Sequence, residues 1–137
     1  MRLLLVKSEP SVYSFDQLRA DGQTAWTGVR SAQARNFLQE MRLGDSVLYY
    51  HSNEGKEVVG LATVVRAAYP DPTAGDDPRW VAVDLAADHP LPAPVSLATF
   101  KADPLLQGTF LVRQGRLSVT PLTPEQFARV LELGADQ

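Results

Sequence analysis

Residues 44–65, GDSVLYYHSNEGKEVVGLATVV, decide the fold. The stretch reads as two long strands joined at a tight turn. Ser46 to Ser52 is rich in β-branched and aromatic residues, and Glu57 to Val65 is almost wholly apolar. Between them, Asn53-Glu54-Gly55 supplies residues that tolerate the positive φ a short hairpin needs. In the second strand both alternating sets are apolar: Val59, Leu61, Thr63 and Val65 on one side, Val58, Ala62 and Val64 on the other. Such a strand is covered on both faces, so it belongs in a barrel or under helices. The first strand ends differently. Tyr49, Tyr50, His51 and Ser52 are consecutive there, which sends polar aromatic groups to both faces. Gly60 is expected to pair near them and to leave room for a close approach to the backbone. The hairpin is therefore expected to be both core and floor of a binding site.

Outward from the hairpin towards the N-terminus, the first motif is a short apolar run, Leu3 to Lys7, that ends in Lys7-Ser8-Glu9-Pro10. Pro10 lacks the N–H a ladder needs and stops the strand, leaving polar residues at its end. Ser14-Phe15-Asp16-Gln17 has the form of a capping box, predicting a short helix with Phe15 and Leu18 inward and a stop at Asp21-Gly22. Ser31 then caps a second helix, Ala32 to about Arg42, whose apolar residues Ala34, Phe37, Leu38 and Met41 share a face. The segment before it, Trp26-Thr27-Gly28-Val29-Arg30, combines a stacking surface, a free backbone and a guanidinium beside a helix N-terminus. That combination suits a nucleotide, with the base on Trp26 and a phosphate near Arg30. Trp26 as plain core and Arg30 as a surface charge is the other reading of the same residues.

Beyond the hairpin, Tyr69 to Pro78 is a turn-rich acidic segment whose aspartates match no calcium-loop spacing, so a plain surface loop is expected. Trp80 to Ala86 alternates as a strand, and Asp88 to Pro94 reads as a proline-rich connection. Ser96 caps a short segment with Leu97 and Phe100 apolar. Phe110-Leu111-Val112 and Leu117-Ser118-Val119 are expected to form two brief strands. Thr123-Pro124-Glu125-Gln126 opens a last helix, with Phe127, Val130 and Leu131 inward and Gly134 at its end.

Composition narrows the function classes. At 137 residues the chain is expected to be one domain, residues 1–137, with a real core. Its net charge of −3 excludes a broad basic surface, so any nucleic-acid contact must be local. There is no cysteine, hence no disulfide, thiol nucleophile or Cys-ligated metal. No apolar run is long enough for a membrane span, and a cytoplasmic protein, expected as a monomer, follows. His51 and His89 have no partners at metal-ligand spacing, and no phosphate loop, dinucleotide fingerprint or nucleophile elbow is present. Neither a metal nor a cofactor is expected, and binding without catalysis is the better reading.

Four stretches carry a family resemblance: Lys7-Ser8-Glu9-Pro10; Trp26 to Arg30 running into Gln33-Ala34-Arg35-Asn36; Gly44-Asp45 followed by Tyr49 to Ser52; and Arg116-Leu117-Ser118-Val119. In this order, from about Met1 to Pro121, they resemble stand-alone members of the EVE domain family. Two positions depart from the pattern. A tryptophan usual near the start is replaced by leucine at Leu3 to Leu5, and an asparagine after the Val-Arg pair is Ser31. The resemblance implies an α+β fold, a PUA-like mixed β-barrel with flanking amphipathic helices. It also implies kinship with readers of modified bases that accept a flipped-out base in a pocket.

Carried onto this sequence, that pocket would draw on Lys7, Ser8, Trp26, Gly28, Val29, Arg30, Asn36, Tyr50, His51 and Ser52, with Arg30, Arg35 and Arg116 meeting phosphates. The expected partner is modified DNA or RNA. A pocket for a free nucleotide or another small metabolite stays open beside it, as does, more remotely, catalysis on such a ligand.

Overall fold

Two apolar segments far apart in sequence, Leu3–Val6 and Val47–Tyr50, lie side by side in the middle of the sheet. The computed structural model describes residues 2–135; residues 1, 136 and 137 lie outside the described residues. The chain runs β1 (Leu3–Ser8), α1 (Pro10–Tyr13), α2 (Phe15–Asp21), β2 (Gln23–Trp26), α3 (Ala32–Glu40), β3 (Ser46–His51) and β4 (Glu57–Pro70). It continues through β5 (Val81–Ser96), α4 (Leu97–Ala102), α5 (Phe110–Arg113), β6 (Val119–Pro121) and α6 (Pro124–Leu133). The strands form one sheet in the order β2-β5-β4-β3-β1-β6. β1 and β3 are parallel, and every other neighbouring pair is antiparallel.

The architecture is mixed, as the sequence predicts, but the barrel is not closed. The two edge strands, β2 and β6, are four and three residues long and do not pair with each other. Strand alternation buries the sheet on both sides. Leu4, Val6, Val47, Tyr49, Ala62, Val64, Val83 and Leu85 meet α2 and α3 on one face. Leu5, Leu48, Tyr50, Val58, Leu61, Leu91 and Val95 meet Phe100, Leu111, Phe127 and Val130 on the other. Asp103, at the end of α4, accepts from Arg129 of α6 at 2.7 Å and ties the helices of that second face together.

The hairpin contains a bulge that its sequence does not announce. Tyr49 pairs with Gly60 and Tyr50 with Val58, so Val59 is the extra residue. Val58 and Leu61 consequently share a core face although their spacing is odd. Farther along, Val65 is exposed beside a second irregularity in the pairing with β5. Gly60 does admit a close approach, but by the protein itself. A Cβ there would lie 2.4 Å from Cζ of Phe15, whose ring packs on Tyr49 with centroids 5.4 Å apart.

Two further expectations are corrected. Asp88 to Pro94 is not a connection but part of β5. β2 covers β5 only from Val83 to Ala86, so the outer edge beyond needs no N–H donors, and the exposed Pro90, Pro92 and Pro94 are tolerated there. Phe110–Arg113 is helical, with the Thr109 carbonyl accepting from the N–H groups of Val112 and Arg113. A three-residue apolar run carries too few residues to separate the two periods.

Replacing Gly60 by alanine is expected to cost about 1–3 kcal/mol, the range for overpacking a core. Urea unfolding checks this, and Phe15→Leu in the same chain should recover part of the loss; strict additivity would show that the ring is not the obstacle.

His51 gives a pH test. Its Nε2 accepts from the Phe15 N–H at 3.1 Å, pinning the start of α2 to the end of β3. Burial lowers its pKa, against the opposing pull of the Glu57 and Asp16 charges. The unfolded chain therefore takes up the proton first, at about pH 6.5. Stability from this contact is complete above that pH and is lost as the pH falls through the lower folded value. Relative to His51→Gln, a non-titrating acceptor, the wild-type urea midpoint should decline between pH 7.5 and 5. Parallel profiles for the two proteins would refute the assignment.

Candidate functional site

At the carboxyl ends of β1 and β3 the sheet carries an open cavity of about 450 Å³. Its wall begins with Lys7 and Ser8 at the end of β1. Pro10 ends that strand and occupies the first turn of α1, where fixed φ and a missing N–H do no harm. The N–H groups of Val12 and Tyr13 both reach the Glu9 carbonyl at 2.9 Å, so one turn folds these two side chains back over the strand end. Tyr13 is then held twice. Its hydroxyl donates to Asp21 at 2.6 Å, and its carbonyl accepts from the Tyr49 hydroxyl at 2.6 Å.

Trp26 closes β2 opposite Val83, with its ring edge-on to Tyr49 at 5.5 Å and 83°. It is half-buried: part of the indole packs on the core cluster and part lines the cavity. Gly28 follows with φ of 83°, and a Cβ there would meet nothing within 4 Å, so glycine serves the turn and not the packing. The turn is fixed from below by Asp71. This carboxylate is 2% exposed and accepts from the Gly28 N–H at 2.8 Å, Arg30 Nη1 at 3.0 Å, and the Thr73 N–H and hydroxyl at 2.7 Å each.

Burial alone would raise the Asp71 pKa. The hydrogen bonds from Thr73, Gly28 and Arg30 outweigh it and hold the group at about 2, ionised at neutral pH. The segment Tyr69 to Pro78 is therefore not a plain surface loop, because it supplies the buried anion that organises the cavity wall.

Lys7 has another environment. Its half-buried ammonium donates to the Gly115 carbonyl at 2.8 Å and lies 5.9 Å from the Tyr50 ring centre. Burial lowers its pKa, and among the described residues no carboxylate pairs with it. A cation without a counter-ion beside a hydroxyl and an indole suits a ligand that presents acceptors and a flat ring.

The structure brings Lys7, Ser8, Trp26, Gly28, Val29 and Arg30 to this cavity. It does not bring Asn36, Tyr50, His51 or Ser52 into the lining. Tyr50 is buried in the core of the opposite face. The ring nitrogen Nε2 of His51 is taken by the Phe15 N–H. Ser52 donates its N–H to the Ser8 carbonyl at 3.0 Å, just behind the wall. Asn36 is exposed on α3 and accepts from Arg35 at 3.1 and 3.3 Å. Arg116 borders a separate depression with Ser31 and Gln33.

Arg35 approaches Arg30 through a residue the sequence did not single out for binding. The guanidiniums of Arg30, Arg35 and Arg79 lie 5.8, 5.7 and 5.4 Å from the ring centre of Trp80. Arg79 also holds Asp77 at 2.8 Å, and Arg35 meets no carboxylate among the described residues. The other lining residues not among the sequence candidates are Val12, Tyr13, Thr24, Ala25, Thr27 and Ser118. Proline in the first turn of a helix was the available signal for the first two. Locally Asp71 shows only as the cap of the short turn at Pro72–Ala74; its partners in the cavity wall, Gly28 and Arg30, lie more than forty residues away.

Comparison with known proteins agrees with this architecture. A crystal structure of a protein from Agrobacterium tumefaciens superposes with a TM-score of 0.96 at 43% identity, covering 98% of this chain and 93% of that one. Thymocyte nuclear protein 1 of Mus musculus is 37% identical, the match covering 94% of this chain and 72% of the relative. The crystal structure of human THYN1 protein in complex with 5-methylcytosine containing DNA superposes with a TM-score of 0.93 at 33% identity, covering 100% of this chain and 99% of that one. The EVE domain itself matches residues 2–133, so the chain belongs to the EVE domain family.

Proposed function

We propose that this chain, acting as a single binding domain and not as a catalyst, binds DNA and takes a modified base, turned out of the duplex, into the cavity beside Trp26. The observation that carries the reading is the cavity itself: an indole, an unpaired ammonium and a hydroxyl around about 450 Å³, a volume in the range of small-ligand sites. Its support from outside is the human relative's complex with 5-methylcytosine containing DNA. Trp26 stacks on the base, and Lys7, Ser8 and the backbone of Gly28 and Val29 read its edge. Arg30 and Arg35, joined by Arg79 around Trp80, meet the flanking phosphates. His51 and Ser52 act behind the wall, holding α2 and Ser8 in place.

The energies are compatible. Turning a base out of the stack costs a few kcal/mol. Stacking on an aromatic side chain returns about 1–3 kcal/mol. One added methyl in an apolar pocket is worth about 1–3 kcal/mol, enough for preference between modified and plain cytosine but not for absolute selection.

Tryptophan fluorescence titration with methylated and plain oligonucleotides, and with the matching mononucleotides, tests the reading. Saturable binding should favour a modified oligonucleotide, and Trp26→Ala should lose about tenfold or more in affinity together with that preference. Arg35 has no carboxylate partner among the described residues and Arg30 and Arg79 each have one, so log K should fall against log salt with a slope no steeper than about −3, and Arg35→Ala should reduce it by about one. Mononucleotide bound as tightly as oligonucleotide would instead favour a free-nucleotide pocket, the reading to which the net charge of −3 lends support. Asp71→Asn should preserve the circular dichroism spectrum while lowering oligonucleotide affinity about tenfold, because the Gly28–Arg30 wall loses its anchor. Unchanged affinity would mean that the wall is held by other contacts.

A further inference from the structure

Four large apolar side chains are exposed among the described residues: Val12, Leu43, Val65 and Leu105. Only Val12 lines the cavity, and it is the most exposed of the four at 74%. Singly exposed apolar residues are ordinary, but this one lines the cavity and nothing in the protein covers it. Its carrier is built to keep it still. Pro10 fixes the first φ of α1, and the Glu9 carbonyl accepts from both Val12 and Tyr13. The Glu9 carboxylate accepts from the Asn53 side chain, so the hairpin turn braces the start of α1. Tyr13, at its other end, is anchored to Asp21 and to Tyr49. Valine adds its own stiffness, because two branches on Cβ restrict χ1. The rim thus presents a rigid apolar knob whose ordering entropy is already spent in folding.

We infer that Val12 is the wedge that occupies the duplex when a base leaves it for the cavity. The inference rests on the proposed reading of that cavity as a base pocket. A base turned out of a duplex leaves an apolar gap between its stacked neighbours and an unpaired base across from it. Proteins that kink DNA insert apolar side chains between base steps, and the same chemistry suits a gap left by an extruded base. Val12 and Trp26 line the same cavity, so the group filling the gap would stand on the rim of the pocket that receives the base. Single-stranded DNA has no such gap. Val12 should therefore matter for duplex and not for single strands, which a residue that contacts the base itself cannot do.

The experiment compares wild type, Val12→Ala and Val12→Leu on one 5-methylcytosine-containing sequence, as duplex and as single strand, with 2-aminopurine next to the modified base to report unstacking. Val12→Ala is expected to bind the duplex about tenfold more weakly, with loss of the 2-aminopurine signal, and the single strand within twofold of wild type. Val12→Leu should retain duplex binding. Equal losses on duplex and single strand would overturn the wedge in favour of a base contact or a folding defect, and a thermal melt separates those two. Duplex binding by wild type that Val12→Ala leaves intact would overturn the wedge alone. Failure of wild type to bind either oligonucleotide would overturn the base-pocket reading and the wedge with it.

Discussion

Tyr49 is the contact on which both the core and the candidate site depend. Its side chain is fully buried, and its ring lies 5.4 Å from Phe15, 5.5 Å from Trp26 and 5.8 Å from His51, tilted or edge-on to each. Aromatic pairs prefer such arrangements, at about 0.5–1.5 kcal/mol each beyond the area they bury. The Tyr49 hydroxyl would be costly to leave unpaired at that depth, and donating to the Tyr13 carbonyl solves this. Burial also raises its pKa, so the group stays a donor. One side chain therefore orients α1, α2 and β2 together. Gly60 is part of the same arrangement, because only a residue without Cβ, directly across from Tyr49, lets the Phe15 ring pack there.

The position of the cavity follows from strand direction. β1 and β3 are parallel, so Ser8 and His51 finish at the same end of the sheet. In open sheets with parallel strands, sites gather outside the carboxyl ends, where the chain leaves the ladder and its polar residues are free. Here Pro10 forces that departure for β1, and the turn at Asn53–Gly55 forces it for β3. The loop after β2 arrives from the far edge strand, which only the sheet order brings into register with them. The cavity wall comes from three separated segments, residues 7–13, residues 24–30 and Ser118, while the end of β3 stands behind it.

This explains which parts were legible in the sequence. The two strands and tight turn of the hairpin, the caps at Ser14, Ser31, Ser96 and Thr123, and the buried faces of α3 and α6 are local patterns, and these formed as read, the facing within the hairpin apart. Of the proposed pocket residues, Lys7, Ser8 and the Trp26–Arg30 run converge because each lies at the end of an element with a clear stop. What local pattern could not supply was facing. Tyr50 follows Tyr49 directly, so strand alternation sends it to the opposite core, away from the cavity. The bulge at Val59 breaks the alternation that the sequence advertises, and the helical turn at Phe110 is set by Thr109 and not by its own apolar run. Asp71 was illegible as a site residue for a different reason: Thr73 gives it a local cap, but the partners that tie it to the cavity wall, Gly28 and Arg30, are distant in sequence.

Charge economy decides what kind of nucleic-acid contact such a chain can sustain. Two of the three arginines around Trp80 also meet carboxylates: Arg30 meets the buried Asp71 and Arg79 meets Asp77. Arg30 is thereby held in place at the expense of much of its net field, and in a molecule of charge −3 the sequence-independent attraction to phosphate is small. A small non-specific term does not weaken recognition; it raises the share of binding that a base edge and a stacking ring must provide. On the proposed reading, discrimination then comes from a cavity whose walls are fixed before the ligand arrives. Asp71 and Tyr49 are the groups that fix them, although neither lines the cavity.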